Sequence, residues 1–295
     1  MKILARTFIH TAVLTLCLTS IAMAFSDLSP YVIRYQCTGG FIDKYHYNAV
    51  PEHKLDMRKS KRIEDKYESN GRELDVISYY PEGNAMGVVV FFHGGGWTGG
   101  EPEQLEFMGE FLSGLGFVVH LPSYRKVWDY HMPFISVDDA KSAVIWAESK
   151  HSGGRAGEYF IIGGESAGGH LALSMLTIPL FSYNIDIKPD KLILLNPITR
   201  LRKEGYYRDE YRVNKKFIEP YNYIGDGLPE TLFIHGDKDN TVPYVDSWNT
   251  NMKMVSKGNV SYLCNSRTFI HGYYYENKTK RASLLNLIRT FLADK

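Results

Sequence analysis

Short apolar runs alternate with helical periods along most of the chain. Continuous apolar runs predict buried strands, whereas apolar residues spaced three and four apart predict helices. The predicted strands cover residues 74–80, 87–92, 117–120, 158–162, 192–195, 231–235 and 260–263. The predicted helices cover residues 102–115, 137–150, 167–176, 246–257 and 280–292. Strands that alternate with helices predict an α/β fold, with a mostly parallel central sheet and helices on both faces.

The N-terminal part of the chain has a different pattern. Residues 1–24 combine a positively charged start, an apolar stretch and a small-x-small site that ends at Ala24. This order predicts a signal peptide, a secreted or periplasmic protein, and no stable membrane span after cleavage. Residues 25–70 are irregular and rich in Tyr, Lys and Glu, which predicts a partly helical N-terminal extension. Residues 71–295 then form the main domain, with an insertion over the strand ends at residues 199–228.

Composition narrows the range of partners. The 295 residues are 44% hydrophobic, which is enough for one large core, and the net charge is +1. The charges are interspersed, so no basic stripe indicates a nucleic-acid partner. No Cys/His cluster has the spacing of a metal site. Once residues 1–24 are removed, Cys37 and Cys264 remain, and either a disulfide or two buried thiols is compatible with the sequence.

A serine lies at the point where a predicted strand meets a helix. Residues 164–168 read Gly-Glu-Ser-Ala-Gly and follow the apolar strand at 158–162. A strand that turns at once into a helix needs glycines where a Cβ would clash. Such a turn exposes the hydroxyl of Ser166 above the sheet and turns the N–H of Ala167 toward the same space. We therefore predict that Ser166 is a nucleophile.

A glycine-rich loop follows the strand at residues 87–92. It reads His-Gly-Gly-Gly-Trp and contains Gly94, Gly95 and Gly96. Glycines let the backbone approach a ligand closely, with N–H groups directed toward it. These donors, together with the N–H of Ala167, suit the oxyanion that forms when a serine attacks a carbonyl group. A phosphate-binding loop fits poorly, because its Lys and Ser/Thr are absent.

A carboxylate and a histidine follow in the order that a serine nucleophile requires. Asp237 and Asp239 both lie just after the strand at 231–235, and either could be the acid, the other being a turn residue. His271 lies on a later loop before the last predicted helix, so the chain order is Ser, Asp, His. The other histidines near these motifs are expected to be structural: His93, His170 and His235.

Together these motifs resemble the α/β-hydrolase superfamily. The matching stretches are HGGGW at 93–97, SYR at 123–125, GESAGGHLAL at 164–173, HGDKDNTVP at 235–243 and HG at 271–272. More narrowly, they resemble hormone-sensitive-lipase-like esterases and the bacterial acetyl and feruloyl carbohydrate esterases. The resemblance implies that residues 71–295 form a catalytic domain and that Asp239 is the acid. It also implies that oxyanion donors come from Ala167 and from two glycines within 94–96.

The implied activity is hydrolysis of short-chain acyl esters through an acyl-enzyme, without a metal or an organic cofactor. The expected substrate is a small-molecule, carbohydrate or lipid ester, and acetyl or aryl esters of carbohydrates are the favoured choice. Tyrosines at 206–223 and 273–275 either line a site for sugars or aryl groups, or only pack. Two alternatives remain open, a serine peptidase or amidase with the same three residues, and a catalytically silent binding protein on the same fold.

Overall fold

The computed structural model describes residues 57–127, 133–151, 159–183, 187–201, 215–266, 269–276 and 278–293. Eight strands of these residues form one sheet in the order β1-β2-β4-β3-β5-β6-β7-β8. Their bounds are β1 Ser60–Ser69, β2 Arg72–Pro81, β3 Gly87–Phe92, β4 Phe117–Pro122, β5 Tyr159–Glu165, β6 Lys191–Leu195, β7 Glu230–Gly236 and β8 Ser261–Ser266. Strands β3 to β8 pair in parallel, and β1 and β2 are antiparallel to their neighbours.

Most of the helices connect successive strands, and the last two follow β8. The α-helices of the described residues are α1 Glu106–Gly114, α2 Phe134–His151, α3 Ala167–Thr177, α4 Pro179–Ser182, α5 Tyr244–Ser256, α6 Tyr273–Glu276 and α7 Lys278–Ala293. Short 3-10 helices lie at Pro102–Leu105, Lys215–Phe217 and Pro220–Tyr223. Every strand and helix predicted between residues 74 and 292 is present, with ends that differ by a few residues. The predicted α/β architecture, an α/β-hydrolase fold, is therefore confirmed.

The sheet divides the core into two layers. Because side chains of a strand alternate between its faces, Val88 and Val90 of β3 point to one layer and Val89 and Phe91 to the other. Buried residues of α2, α3 and α5 pack in the first layer, and those of α1 and α7 in the second. This burial on both faces explains why the central strands are continuous apolar runs in the sequence.

The structure corrects the prediction for residues 25–70. Ser60–Ser69 is not irregular or helical but forms β1, which pairs residue for residue with β2. The two strands are joined by Asn70 and Gly71, whose φ values of 50° and 74° suit a tight hairpin turn. The predicted domain boundary at residue 71 therefore falls inside a hairpin of the sheet.

Several predictions concern residues outside the described ranges. They include the signal peptide at 1–24 and the rest of the extension at 25–56, so export stays a prediction. Cys37 is also outside, and Cys264 is buried in β8, so both alternatives for this pair of cysteines stay open. No helix in the described ranges is long and apolar enough to cross a membrane. The same ranges contain no group of three or more His, Cys, Asp or Glu residues that could hold a metal ion.

Of the predicted insertion at residues 199–228, the structure describes residues 199–201 and 215–228. Its buried Ile218 and Ile224 join the core layer of α3, the helix that follows Ser166. The ring nitrogen Nε2 of His170 in α3 lies 2.7 Å from the carbonyl oxygen of Ile218. Burial lowers the pKa of His170 to about 4, so the ring is neutral and donates this bond. His170 therefore has the structural role that the sequence predicts.

Candidate active site

Ser166 stands at a strained turn between β5 and α3. Its φ of 53° and ψ of −113° lie in a region that non-glycine residues rarely adopt. A Cβ on Gly164 would lie 2.3 Å from the backbone of Gly168, and one on Gly168 would lie 2.1 Å from the carbonyl oxygen of Phe92. Only glycine fits at these two positions. The packing therefore explains the Gly-x-Ser-x-Gly spacing, and the strain is typical of functional sites.

The three side chains that the sequence groups together meet above the sheet. The Nε2 atom of His271 lies 3.0 Å from Oγ of Ser166, and its Nδ1 atom lies 2.6 Å from Oδ2 of Asp239. A carboxylate only accepts hydrogen bonds, so Nδ1 carries a proton in this contact and the neutral ring leaves Nε2 free to accept one. The serine hydroxyl can then donate to Nε2. This arrangement can remove a proton from Ser166.

Asp239 is held by four donors. The backbone N–H groups of Thr241 and Val242 both donate to its Oδ1, each at 2.8 Å. Its Oδ2 faces His271 Nδ1, and His235 Nε2 lies 3.2 Å from the same oxygen. Burial alone would raise the pKa of Asp239, but the hydrogen bonds from His235 and His271 outweigh it and hold the pKa well below its usual range. Asp239 is therefore a fixed anion.

Asp237, the other candidate acid, points elsewhere. It is exposed and accepts a hydrogen bond of 2.8 Å from Nδ2 of Asn265. The geometry thus places Asp239, rather than Asp237, beside His271.

His235 contacts the site, although the sequence indicated only a structural role. Its Nε2 lies 2.9 Å from the carbonyl oxygen of Val242 as well as 3.2 Å from Asp239 Oδ2, so Nε2 carries a proton. Its Nδ1 then accepts the hydroxyl proton of Ser247 at 2.8 Å. Both nitrogens are fixed by partners, and the buried ring anchors Asp239. The spacing of four residues between His235 and Asp239 is the sequence signal that could have indicated this contact.

The glycine loop presents backbone donors beside Ser166. Gly95 and Gly96 have φ values of 113° and 60°, which favour glycine. Within the described part of the chain, the N–H groups of Gly94, Gly95, Gly96 and Ala167 have no protein acceptor. Ala167 is the first residue of α3, where helix N–H groups are free to bind an anion. The predicted donors are thus available to a ligand.

His93 and Tyr124 support this loop from below. Their rings stack with centroids 4.3 Å apart, and the Tyr124 hydroxyl donates to the carbonyl oxygens of His93 and Gly94. Burial lowers the pKa of His93 to about 4, so its ring stays neutral. These contacts agree with the structural role predicted for His93.

The tyrosines after His271 point into the protein. Tyr273 and Tyr274 are 3% and 0% exposed, and both belong to the core layer of α1 and α7. The hydroxyl of Tyr274 donates to Asn196, and that of Tyr275 donates to Glu165 beneath the site. Of the two interpretations of residues 273–275, packing is therefore the one that the structure favours. Tyr206 of the other tyrosine-rich stretch lies outside the described residues.

Known proteins share both the sequence pattern and the fold. Residues 89–245 match the family described as alpha/beta hydrolase fold. A versiconal hemiacetal acetate esterase from Aspergillus parasiticus is 31% identical over 124 residues, which are 41% of this chain and 38% of that protein. The carboxylic ester hydrolase LipN from Mycobacterium tuberculosis is 30% identical over 166 residues, 52% of this chain and 44% of that protein. The matches thus span less than half the length of these curated relatives.

A solved structure covers more of the chain. Esterase 2 from the planctomycete Thermogutta terrifontis, solved with propionate bound, is 28% identical and has a TM-score of 0.67. The match covers 83% of this chain and 96% of that one. The same esterase has been solved with butyrate bound and after phosphonylation by sarin. The names of these relatives are those of esterases, the enzyme class that the motifs indicate.

Proposed function

The chain belongs to the α/β hydrolase fold family, and from this premise we propose that it is a serine carboxylesterase with Ser166 as nucleophile, His271 as general base and Asp239 as the acid. The observation that supports this proposal most is the continuous hydrogen-bonded chain from Ser166 Oγ through His271 to Asp239 Oδ2, at 3.0 and 2.6 Å. At its Ser166 end, this hydrogen-bonded series lies next to the backbone N–H groups of Ala167 and the glycine loop, which donate to no other protein group in the described residues. This combination is the one that acyl transfer requires.

In the proposed reaction, Ser166 Oγ bonds to the ester carbonyl carbon while His271 Nε2 takes the hydroxyl proton. The carbonyl oxygen becomes an oxyanion, which accepts hydrogen bonds from N–H groups of the glycine loop and Ala167. The bond to the alcohol oxygen then breaks, and His271 returns the proton to that oxygen. Water attacks the acyl-enzyme by the same steps, which releases a carboxylic acid and restores Ser166. No step requires a cofactor.

The proposed substrates are esters of short acyl groups. Two relatives support this choice: one is named an acetate esterase, and the other has been solved with propionate and with butyrate bound. Acetyl or aryl esters of carbohydrates remain the proposed natural class. The inward direction of Tyr273 and Tyr274 removes one argument for a sugar-binding surface, so this class rests on the sequence resemblance.

A panel of p-nitrophenyl esters tests the proposed function. We expect turnover of acetate and butyrate, with kcat/KM decreasing toward octanoate, and far slower cleavage of p-nitroacetanilide, the amide counterpart of the acetate. Faster cleavage of the anilide than of the ester would instead identify an amidase. If the folded protein turns over none of these substrates, the binding-protein alternative replaces the esterase.

The glycine loop offers a prediction with a matched control. A Cβ on Gly94 would lie 2.0 Å from Oε2 of Glu165, so the loop or the Glu165 carboxylate must shift in Gly94→Ala. A Cβ on Gly99 would have only the carbonyl oxygen of Gly95 near it, at 3.7 Å. We expect kcat for p-nitrophenyl acetate to fall about 10²- to 10³-fold in Gly94→Ala, the usual cost of a lost oxyanion donor. Gly99→Ala should keep its rate, and an equal loss in both variants would contradict this role of the loop.

A further inference from the structure

Glu165 is a buried carboxylate that the proposed reaction does not use. It is the last residue of β5, immediately precedes Ser166 and is 4% exposed. Its position in the Gly-x-Ser-x-Gly motif is one that the motif leaves open to any residue. Buried carboxylates are costly unless charge or hydrogen bonds compensate them, so the presence of this one needs an explanation.

Neutral donors hold the Glu165 carboxylate in place. Nδ2 of Asn196 donates to Oε1 and the hydroxyl of Tyr275 donates to Oε2, each at 3.2 Å. The orientation of Asn196 is fixed in turn, because Tyr274 donates to its Oδ1 at 3.1 Å. Oε2 also lies where a Cβ of Gly94 would be, so the carboxylate rests against the glycine loop. The side chain therefore has one position.

The cation nearest to this carboxylate is the one that catalysis would create. Among the described residues, the ion-pair partner of Glu165 is His271, whose Nε2 atom lies 3.8 Å from Oε1. That atom is the one that faces Ser166, and the opposite side of the ring faces Asp239. The imidazole thus lies between two carboxylates, one at each nitrogen. A proton on Nε2 would be attracted by Glu165 at short range.

Asp239 is the charged partner of His271 on the Nδ1 side, and the tyrosines that face Glu165 on the other side stay uncharged. Tyr124, Tyr274 and Tyr275 face Glu165, and burial raises the pKa of each phenol far above the neutral range. Burial raises the pKa of Glu165 as well, whereas the charge of His271 lowers it. Protonation of His271 therefore favours the ionised form of Glu165, and ionised Glu165 favours protonation of His271.

We propose that Glu165 is a positioning residue that stabilises the protonated form of His271 during acyl transfer and holds the Nε2 side of the ring toward Ser166. This inference rests on the proposed function. It gives the reaction a second carboxylate, which acts through His271 and the glycine loop without contact with the substrate. Asp239 fixes the tautomer from one side of the ring, and Glu165 compensates the positive charge on the other.

The pH profile of Glu165→Gln tests this role. A negative charge favours the protonated ring, so its removal should move the acid limb of kcat/KM for p-nitrophenyl acetate to lower pH, by about one unit. The plateau should fall about 10-fold, because the protonated intermediate loses the same stabilisation. Glu165→Asp keeps the charge and should restore the limb toward its wild-type position. A merely structural carboxylate would lower stability and leave the limb unmoved.

A readout that does not need turnover separates this inference from the proposed function. The imidazole signal of His271 is followed by NMR over pH in Ser166→Ala and in Ser166→Ala/Glu165→Gln, with His271→Gln for assignment. A lower titration midpoint in the double variant supports the coupling, even if the wild-type protein hydrolyses no ester and the proposed function fails. Equal midpoints in the two variants would overturn the inference, with or without ester hydrolysis by the wild-type protein.

Discussion

Replacement of Ser166 by Ala is expected to lower kcat for p-nitrophenyl acetate by about 10⁶-fold, the loss found when a serine nucleophile is removed. The reason is that no other described hydroxyl lies against His271 Nε2, which is 3.0 Å from Ser166 Oγ. The substitution removes one oxygen atom and keeps the Cβ, so the strained turn remains and the fold should be retained. Steady-state rates of the purified variant, together with its thermal midpoint, provide the measurement.

A serine away from the site serves as the control for this substitution. Ser256 is exposed near the end of α5, where its hydroxyl donates to the carbonyl oxygen of Lys253. Ser256→Ala should keep wild-type rates. Substantial turnover by a folded Ser166→Ala protein would show that another group attacks the ester.

The second large effect is expected for Asp239→Asn. Two backbone N–H groups donate to Oδ1 at 2.8 Å, so an asparagine should keep its oxygen there and direct its NH₂ group at His271 Nδ1. Nδ1 must then accept a hydrogen bond from this NH₂ group, so the ring proton moves to Nε2. A protonated Nε2 can no longer take the proton of Ser166. We expect kcat to fall about 10⁴-fold, as for the equivalent loss of the correct tautomer in serine proteases.

Asp237→Asn is the matched control, two residues away and with the same change of charge. Because Asp237 is exposed and contacts Asn265 rather than His271, its loss should leave kcat close to the wild-type value. Steady-state kinetics of the two variants compare the two carboxylates directly. A larger loss in Asp237→Asn than in Asp239→Asn would mean that the acid has been assigned to the wrong residue.

The sequence predicted the central sheet well because burial leaves a strong local signal. Strands such as β3 are apolar on both faces, and α3 begins at a tight turn where glycines avoid a steric clash. β1 has no such signal, since it is a charged edge strand with only Tyr67 and Ser69 buried. Its pairing depends on β2, and the local indication was the turn at Asn70 and Gly71, a dipeptide typical of hairpins.

The sequence indicated which residue types form the candidate site, but it indicated less well which neighbouring side chains hold them in place. The Gly-x-Ser-x-Gly motif is required sterically by the tight turn, so Ser166 could be identified from the local sequence. Asp237 and Asp239 could not be separated by local pattern, because the choice depends on which side chain turns toward a loop 32 residues later. The contacts of Glu165 were hidden for the same reason, and the contact of His235 had only its spacing of four residues from Asp239 as a signal. The contacts of Glu165 join loops that follow different strands, which no periodicity encodes.

A fluorophosphonate with intact-mass detection tests the assignment of the nucleophile most directly. The reagent phosphonylates an activated serine and forms a stable adduct, and the similar Thermogutta terrifontis esterase 2 has been solved after phosphonylation by sarin. We predict one adduct per chain on the peptide that contains Ser166, no adduct in Ser166→Ala, and much slower labelling in Asp239→Asn. An unlabelled, folded wild-type protein, or an adduct that persists in Ser166→Ala, would contradict the assignment of Ser166 as an activated nucleophile.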